Sequence, residues 1–212
     1  MNKNRKYLLA ASGLLLSIAM GAQVKFVSDS QVTRSLKTFM SLLDSQEVKD
    51  FGLKSVAQLA TLRPGKQFKK YMISLDKIRE FKQGDNVKAI ISEYPAVEVS
   101  LISQTGKIET SIEFLKTSQG KWEPGGFGAT PDMIRLSDAR DVIPDNVIKK
   151  GDLIRIPALQ MTFLTVSSST GLEFISLEDY PNLNLHRGQK AKASNVILRL
   201  VPEALKHNGL PN

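Results

Sequence analysis

The stretch AVEVSLISQTGKIETSIEFLKT, residues 96–117, decides the fold class. Val97, Val99 and Leu101 alternate with Glu98 and Ser100. After the turn QTGK at 104–107, Ile108, Thr110, Ile112 and Phe114 alternate with Glu109, Ser111 and Glu113. Successive strand residues point to opposite faces, so this period of two predicts an antiparallel hairpin with one dry and one wet side. A second turn, SQGK at 118–121, sends the chain back toward Trp122 and extends the hairpin into a meander of three or more strands.

Upstream, VKAIISEY at 87–94 is rich in β-branched residues and predicts a separate strand, cut off from AVEVSLIS by Pro95. Phe68, Tyr71 and Ile73 predict a short strand, and Ser74 can cap a helix carrying Leu75, Ile78 and Phe81 that stops at Gly84. Nearer the N-terminus, Val32, Leu36, Phe39, Met40 and Leu43 recur at helical spacing behind Asp29 or Ser30 as cap. A weaker helix runs from Ser45 through Val48, Phe51, Val56, Leu59 and Leu62, and RPG at 63–65 ends it.

Downstream, GKWEPGGFGATPD, residues 120–132, holds the single tryptophan and four glycines. A phosphate loop needs its glycines between a parallel strand and a helix start, with Lys and Ser/Thr at set offsets, and this stretch has neither. It reads as a joint: Trp122 covers the open end of the core, Pro124 ends a short strand, and Thr130-Pro131 begins a helix. On that reading, replacing Gly126 harms folding. Beyond the joint come one short helix before Pro144, a strand over LIRIPALQMTFLTVS with Pro157 at an edge or bulge, the turn SSTG, and LEFISLED as the partner of a second hairpin. Ala191, Ser194, Ile197, Leu198, Val201 and Leu205 close the chain as a helix, kinked or restarted at Pro202.

Strands that follow strands without helical crossovers predict an α+β protein built on antiparallel sheet. N-terminal helices precede a meander, a second hairpin and a C-terminal helix, an order similar to the general layout of cystatin-like or NTF2-like proteins. No motif supports that analogy, so it implies nothing about function. The chain divides at the joint into 22–125 and 126–212, or forms one domain over 25–212.

The first residues, MNKNRKYLLAASGLLLSIAMGAQ, join a basic start to an apolar run and then to small residues, the pattern of a signal peptide over residues 1–21 with cleavage after Gly21 or Ala22. The run is shorter than the roughly 20 residues of a spanning helix, although a retained membrane anchor is the alternative. Loss of residues 1–21 removes Lys3, Arg5 and Lys6 and no acid, which lowers the formal surplus from eight positive charges to five. That surplus is dispersed, where nucleic-acid binding concentrates it. With no cysteine anywhere, an exported chain must draw its stability from a packed core, and roughly 190 residues supply one.

Candidate chemistry is sparse. The two histidines, His186 and His207, lie in a polar loop and in the tail, without a G-x-S-x-G or S-x-x-K companion. Asp132, Asp138, Asp141, Asp145 and Asp152 lack the alternate spacing of a calcium loop. Glu178-Asp179, or Glu93 with Glu98, are the carboxylate pairs a glycosidase would need. The pattern predicts no cofactor and no resident metal. The loop around DYPNLNLHRGQ offers Tyr180, Asn182, Asn184, His186 and Arg187, aromatic, amide and guanidinium groups of the kind recognition surfaces use. The expectation is an exported binding, adaptor or envelope-associated protein without enzymatic activity, periplasmic or extracellular, whose partner is a protein or small molecule. The alternatives are an exported hydrolase using carboxylates or His186, and a membrane-anchored domain.

Overall fold

The computed structural model describes residues 26–43, 47–51, 53–128 and 130–207. The signal-peptide reading and the Ser45 cap lie outside them. The strands are β1 (Arg63–Met72), β2 (Ser92–Ile102), β3 (Ile108–Lys116), β4 (Trp122–Phe127), β5 (Asp152–Ile156), β6 (Met161–Ser168), β7 (Gly171–Ser176) and β8 (Lys190–Lys192). They form one sheet in the order β4-β3-β2-β1-β5-β6-β7-β8. Every neighbouring pair is antiparallel except β1 and β5, which run parallel through Lys70↔Leu153, Tyr71↔Ile154 and Met72↔Arg155. The α+β class is therefore as the sequence predicts, with one parallel seam at the centre of the sheet.

Helices cover both faces. Lys69 and Tyr71, two apart on β1, are the register partners of Val97 and Ile154, so the clusters around those residues share a face. On it, α1 (Asp29–Leu42) and α2 (Val56–Thr61) bring Val32, Leu36 and Leu59 onto Val97, Val99, Ile112 and Phe114. Beyond the seam, α3 (Leu75–Glu80), α4 (Val87–Ile90) and α7 (Ala193–Lys206) bring Ile78, Val87, Ile197 and Leu200 onto Ile154, Phe163 and Phe174. The other face carries α5 (Pro131–Asp138) and α6 (Asp145–Ile148), whose Met133, Leu136 and Ile148 meet Phe68, Leu153, Leu164 and Ile175. Each fully buried side chain of this size stabilises by roughly 1.5–3 kcal/mol, the source of stability left to a chain without disulfides.

Local signals explain the element ends. Ser28, one residue before the expected caps, accepts from the Gln31 amide and starts α1. Thr130 caps α5 through the Met133 amide with Pro131 in the first turn, as expected. Arg79 of α3 donates to the carbonyls of Ala204 and His207 and so closes the C-terminal end of α7, which continues through Pro202.

Several expectations are corrected. Residues 87–90 form a helical turn, capped by the Asn86 side chain, where β-branched residues predict strand. Pro95 does not separate two strands; it lies inside β2, where the register jumps from Lys69↔Val97 to Lys70↔Tyr94 and no N–H is needed toward β1. Likewise Pro124 lies within β4 opposite Phe114, tolerated because β4 is the edge of the sheet. Pro157 sits in a 3-10 turn that splits LIRIPALQMTFLTVS into β5 and β6. On β3, Ile102 pairs with Ile108 and Leu101 with Thr110, so Glu109 is an extra residue and Ile108 joins a different cluster from Ile112 and Phe114.

The wet side of the hairpin is also overturned. Glu98 is fully buried, Ser100 and Ser111 nearly so, because α5 and its entry loop cover them. Lys70 Nζ lies 2.9 Å from Glu98 Oε2 and 2.7 Å from Glu113 Oε1. The Ser111 and Thr130 hydroxyls approach Glu98 Oε1 at 2.5 and 3.2 Å. Burial works to lower the Lys70 pKa, but Glu98 and Glu113 outweigh it and hold the ammonium above its usual range. A second cluster centres on Asp132, 1% exposed, which accepts from the Thr162 hydroxyl at 2.8 Å and faces Arg135 and Arg155 at 3.6 and 3.5 Å.

Two stability predictions result. Gly128 holds φ +121°, and an added Cβ would stand 2.8 Å from the Phe51 ring, whereas at Gly126 the nearest atom is 4.0 Å away. In urea unfolding, Gly128→Ala should cost about 1–3 kcal/mol and Gly126→Ala close to nothing, which moves the sensitive position from Gly126 to Gly128. Lys70→Met strands the Glu98 carboxylate and should cost about 3–5 kcal/mol; Lys70→Met combined with Glu98→Gln should recover a large part of that loss.

Candidate functional site

The parallel seam leaves a space between the two helical groups on their shared face. A cleft of about 630 Å³ opens there, floored by Tyr71 of β1, Ile154 of β5, Thr165 of β6 and Leu172 of β7. Ile91 and Lys88 of the α4 region form one lip, and Lys150, just before β5, contributes to the other side. Asp152 and Glu93 complete the lining. A smaller space of about 330 Å³, lined by Phe26, Lys66, Lys69 and Lys149, adjoins it and shares Lys150 and Asp152.

Strand register places these groups. Asp152 faces Thr165, and Tyr71 faces both Glu93 and Ile154, so alternate positions of four strands project into one cleft. Asp152 Oδ1 accepts from the Lys69 amide at 3.0 Å, and Lys69 Nζ pairs with Glu93 at 3.6 Å. Lys66 reaches across the seam and donates to the Lys149 carbonyl at 3.1 Å and to the Gly151 carbonyl. Burial pushes its pKa down to about 8, against the attraction of Asp152. Burial also raises the Asp152 carboxyl, with Lys66 opposing, and raises the Tyr71 phenol, with Asp152 and Glu93 adding to the rise. Thr165 is 9% exposed and its hydroxyl has no hydrogen-bond partner among the described residues. Lys88 and Lys150 have no acidic partner there either.

The loop residues singled out from sequence do not converge. Tyr180 turns inward, where its hydroxyl donates to the Thr162 carbonyl and accepts from the Thr162 amide, both at 3.0 Å, and burial pushes its pKa up to about 12. Asn184 adopts φ +50° at the end of a 3-10 turn over Pro181–Leu183, and Asn182 is exposed. His186 is 81% exposed at 3.6 Å from Asp179, which also accepts from the Arg187 amide. The Arg187 side chain lines a separate polar depression of about 780 Å³ with Lys107, Asp138, Arg140, Asp141 and Asp145. Within that depression Arg140 pairs with Asp145 at 2.8 Å and donates to the Gly106 carbonyl.

The proposed carboxylate pairs fare similarly. Glu93 shares a face with Tyr71 and Glu98 with Phe68, three residues away on β1, so the two acids lie on opposite faces of the sheet. Glu178 is held by Arg135 at 2.7 Å. Among the described residues no group of three metal-ligating side chains occurs, and no helix is long and apolar enough to cross a membrane. The seam cleft was missed from sequence because its residues come from five strands and a helical turn, and no local spacing joins them.

Lys66 sets a pH dependence of stability. Its folded pKa of about 8 lies below the ordinary 10.5, so between those values the unfolded chain holds a proton that the folded protein has released. Stability should therefore rise from pH 8 toward pH 10, and Lys66→Met should flatten that rise when urea unfolding is compared at the two pH values. No protein-family model, no curated protein and no solved structure matches the chain.

Proposed function

We propose that the protein is an exported, non-catalytic binding protein whose seam cleft holds an organic anion with an apolar body. One observation carries this reading: the lips of a half-apolar cleft present the ammonium groups of Lys88 and Lys150, which form no ion pair among the described residues. Ile91 and Leu172, both half-buried, offer apolar contact in the cleft, and the two lysines supply charge attraction at the rim. Export is supported by the basic start and apolar run of residues 3–20.

The test is an amide NMR titration of the protein with octanoate and with D-glucuronate at low ionic strength, where rim charges are least screened. Shifts should concentrate at Tyr71, Ile154 and Thr165, and Lys150→Glu should weaken binding about tenfold. If neither anion perturbs these residues, the reading fails. N-terminal sequencing of the secreted protein should begin at Ala22 or Gln23.

A further inference from the structure

The cleft does not end at its own walls. On one side it shares Lys150 and Asp152 with the compartment lined by Phe26, Lys66, Lys69 and Lys149. On the other it shares Lys88 and Leu172 with a compartment of about 220 Å³ lined by Asp85, Asn86, Thr170, Lys192 and Ser194. Through these shared residues the three spaces adjoin in a row along the shared helical face, and together they make a groove.

We infer that this groove takes a chain of acidic sugar units, a conclusion that rests on the cleft being an anion site. Charge is the first argument. Lys149, Lys150, Lys88 and Lys192 are spread over the whole length; Lys150, Lys88 and Lys192 form no ion pair among the described residues, and Asp145, the acid that Lys149 senses, is already paired with Arg140. A single small anion would use one or two of them; a chain carrying a carboxylate at intervals uses all four. The second argument is what lies between the lysines. Glu93, Asp152, Asp85 and Asn86 are spaced through the groove, acceptors and donors suited to sugar hydroxyls. Three carboxylates in the lining would repel the closely spaced phosphates of a polyphosphate or a nucleic acid. The third is the apolar strip of Tyr71, Ile91 and Leu172, with Phe26 at the far end, all half-buried, against which the C–H faces of sugar rings can pack.

Calorimetric titration with galacturonate oligomers of one to six units tests the inference. Affinity should climb at least tenfold between monomer and tetramer as added units reach the outer compartments. Lys149→Glu and Lys192→Glu, both at exposed positions, should each weaken tetramer binding about fivefold and leave the monomer unaffected, with far-UV circular dichroism confirming the fold. Equal affinity for monomer and hexamer would overturn the inference, as would equal binding of neutral cellulose oligomers, or tighter binding of polyphosphate or oligothymidylate. If octanoate binds and no uronate does, the chain-binding inference falls while the anion cleft stands; if neither binds, both fall.

Discussion

The pairing of β1 with β5 is the constraint on which the molecule depends. β1 opens the first meander and β5 opens the second, and the two halves of the sheet meet through three residue pairs between them. A parallel neighbour cannot be reached by a tight turn, so the chain from Ile73 to Gly151, including the rest of the first meander, is the crossover. Side chains reinforce this short ladder. Lys66 donates to the carbonyls of Lys149 and Gly151, Asp152 accepts from the Lys69 amide, and the Ile73 amide donates to the Arg155 carbonyl at 3.0 Å. The same seam separates α1 and α2 from α3, α4 and α7, and the groove is the gap between them. Site and joint are one feature.

The opposite face meets the constraint differently. There α5 lies across the seam, and its entry residues Thr130 and Asp132 each engage a buried charge cluster, Glu98 with Lys70 on one half and Thr162 with Arg155 on the other. Burying such charges is costly unless every one finds a partner, and the partners come from β1, β2, β3, β5, β6 and α5 at once. These clusters tie register and helix position to each other: a slipped β2 would strand Glu98, and a displaced α5 would strand Asp132. That gives the sheet a specificity apolar packing alone supplies poorly, in a chain with no disulfide to hold it.

Much of the fold was legible locally. Alternation around Val97–Leu101 and Ile108–Phe114 identified the hairpin, glycine turns at Gly106 and Gly120 marked its ends, and Thr130-Pro131 announced α5. Two misreadings share a cause. Pro95 and Pro124 read as breaks, yet a proline ends a strand only where its missing N–H is needed, and that depends on which neighbour lies alongside; Pro157 errs the other way, read as an edge or bulge within one strand where the chain in fact turns between β5 and β6. The candidate site was scarcely legible. Tyr180, Asn182, Asn184, His186 and Arg187 lie close together in sequence and share a polar loop, but the isolated bridge between Tyr180 and Leu185 turns the tyrosine into the core and leaves the others pointing outward.

What the sequence determined by itself is whatever depends on near neighbours: the alternation of the β2–β3 hairpin, the Thr130 cap, the glycine turns, the antiparallel α+β class, and the need for a core in a cysteine-free chain. What only the tertiary structure decided is whatever depends on residues far apart in the chain. The Glu98, Ser111 and Glu113 face looks wet because alternation reports which residues share a side, and it carries no information about what packs above that side. Tyr71, Ile154 and Thr165 likewise become one floor only when β1 finds β5 more than eighty residues later, a match selected by packing and buried charge over the whole sheet.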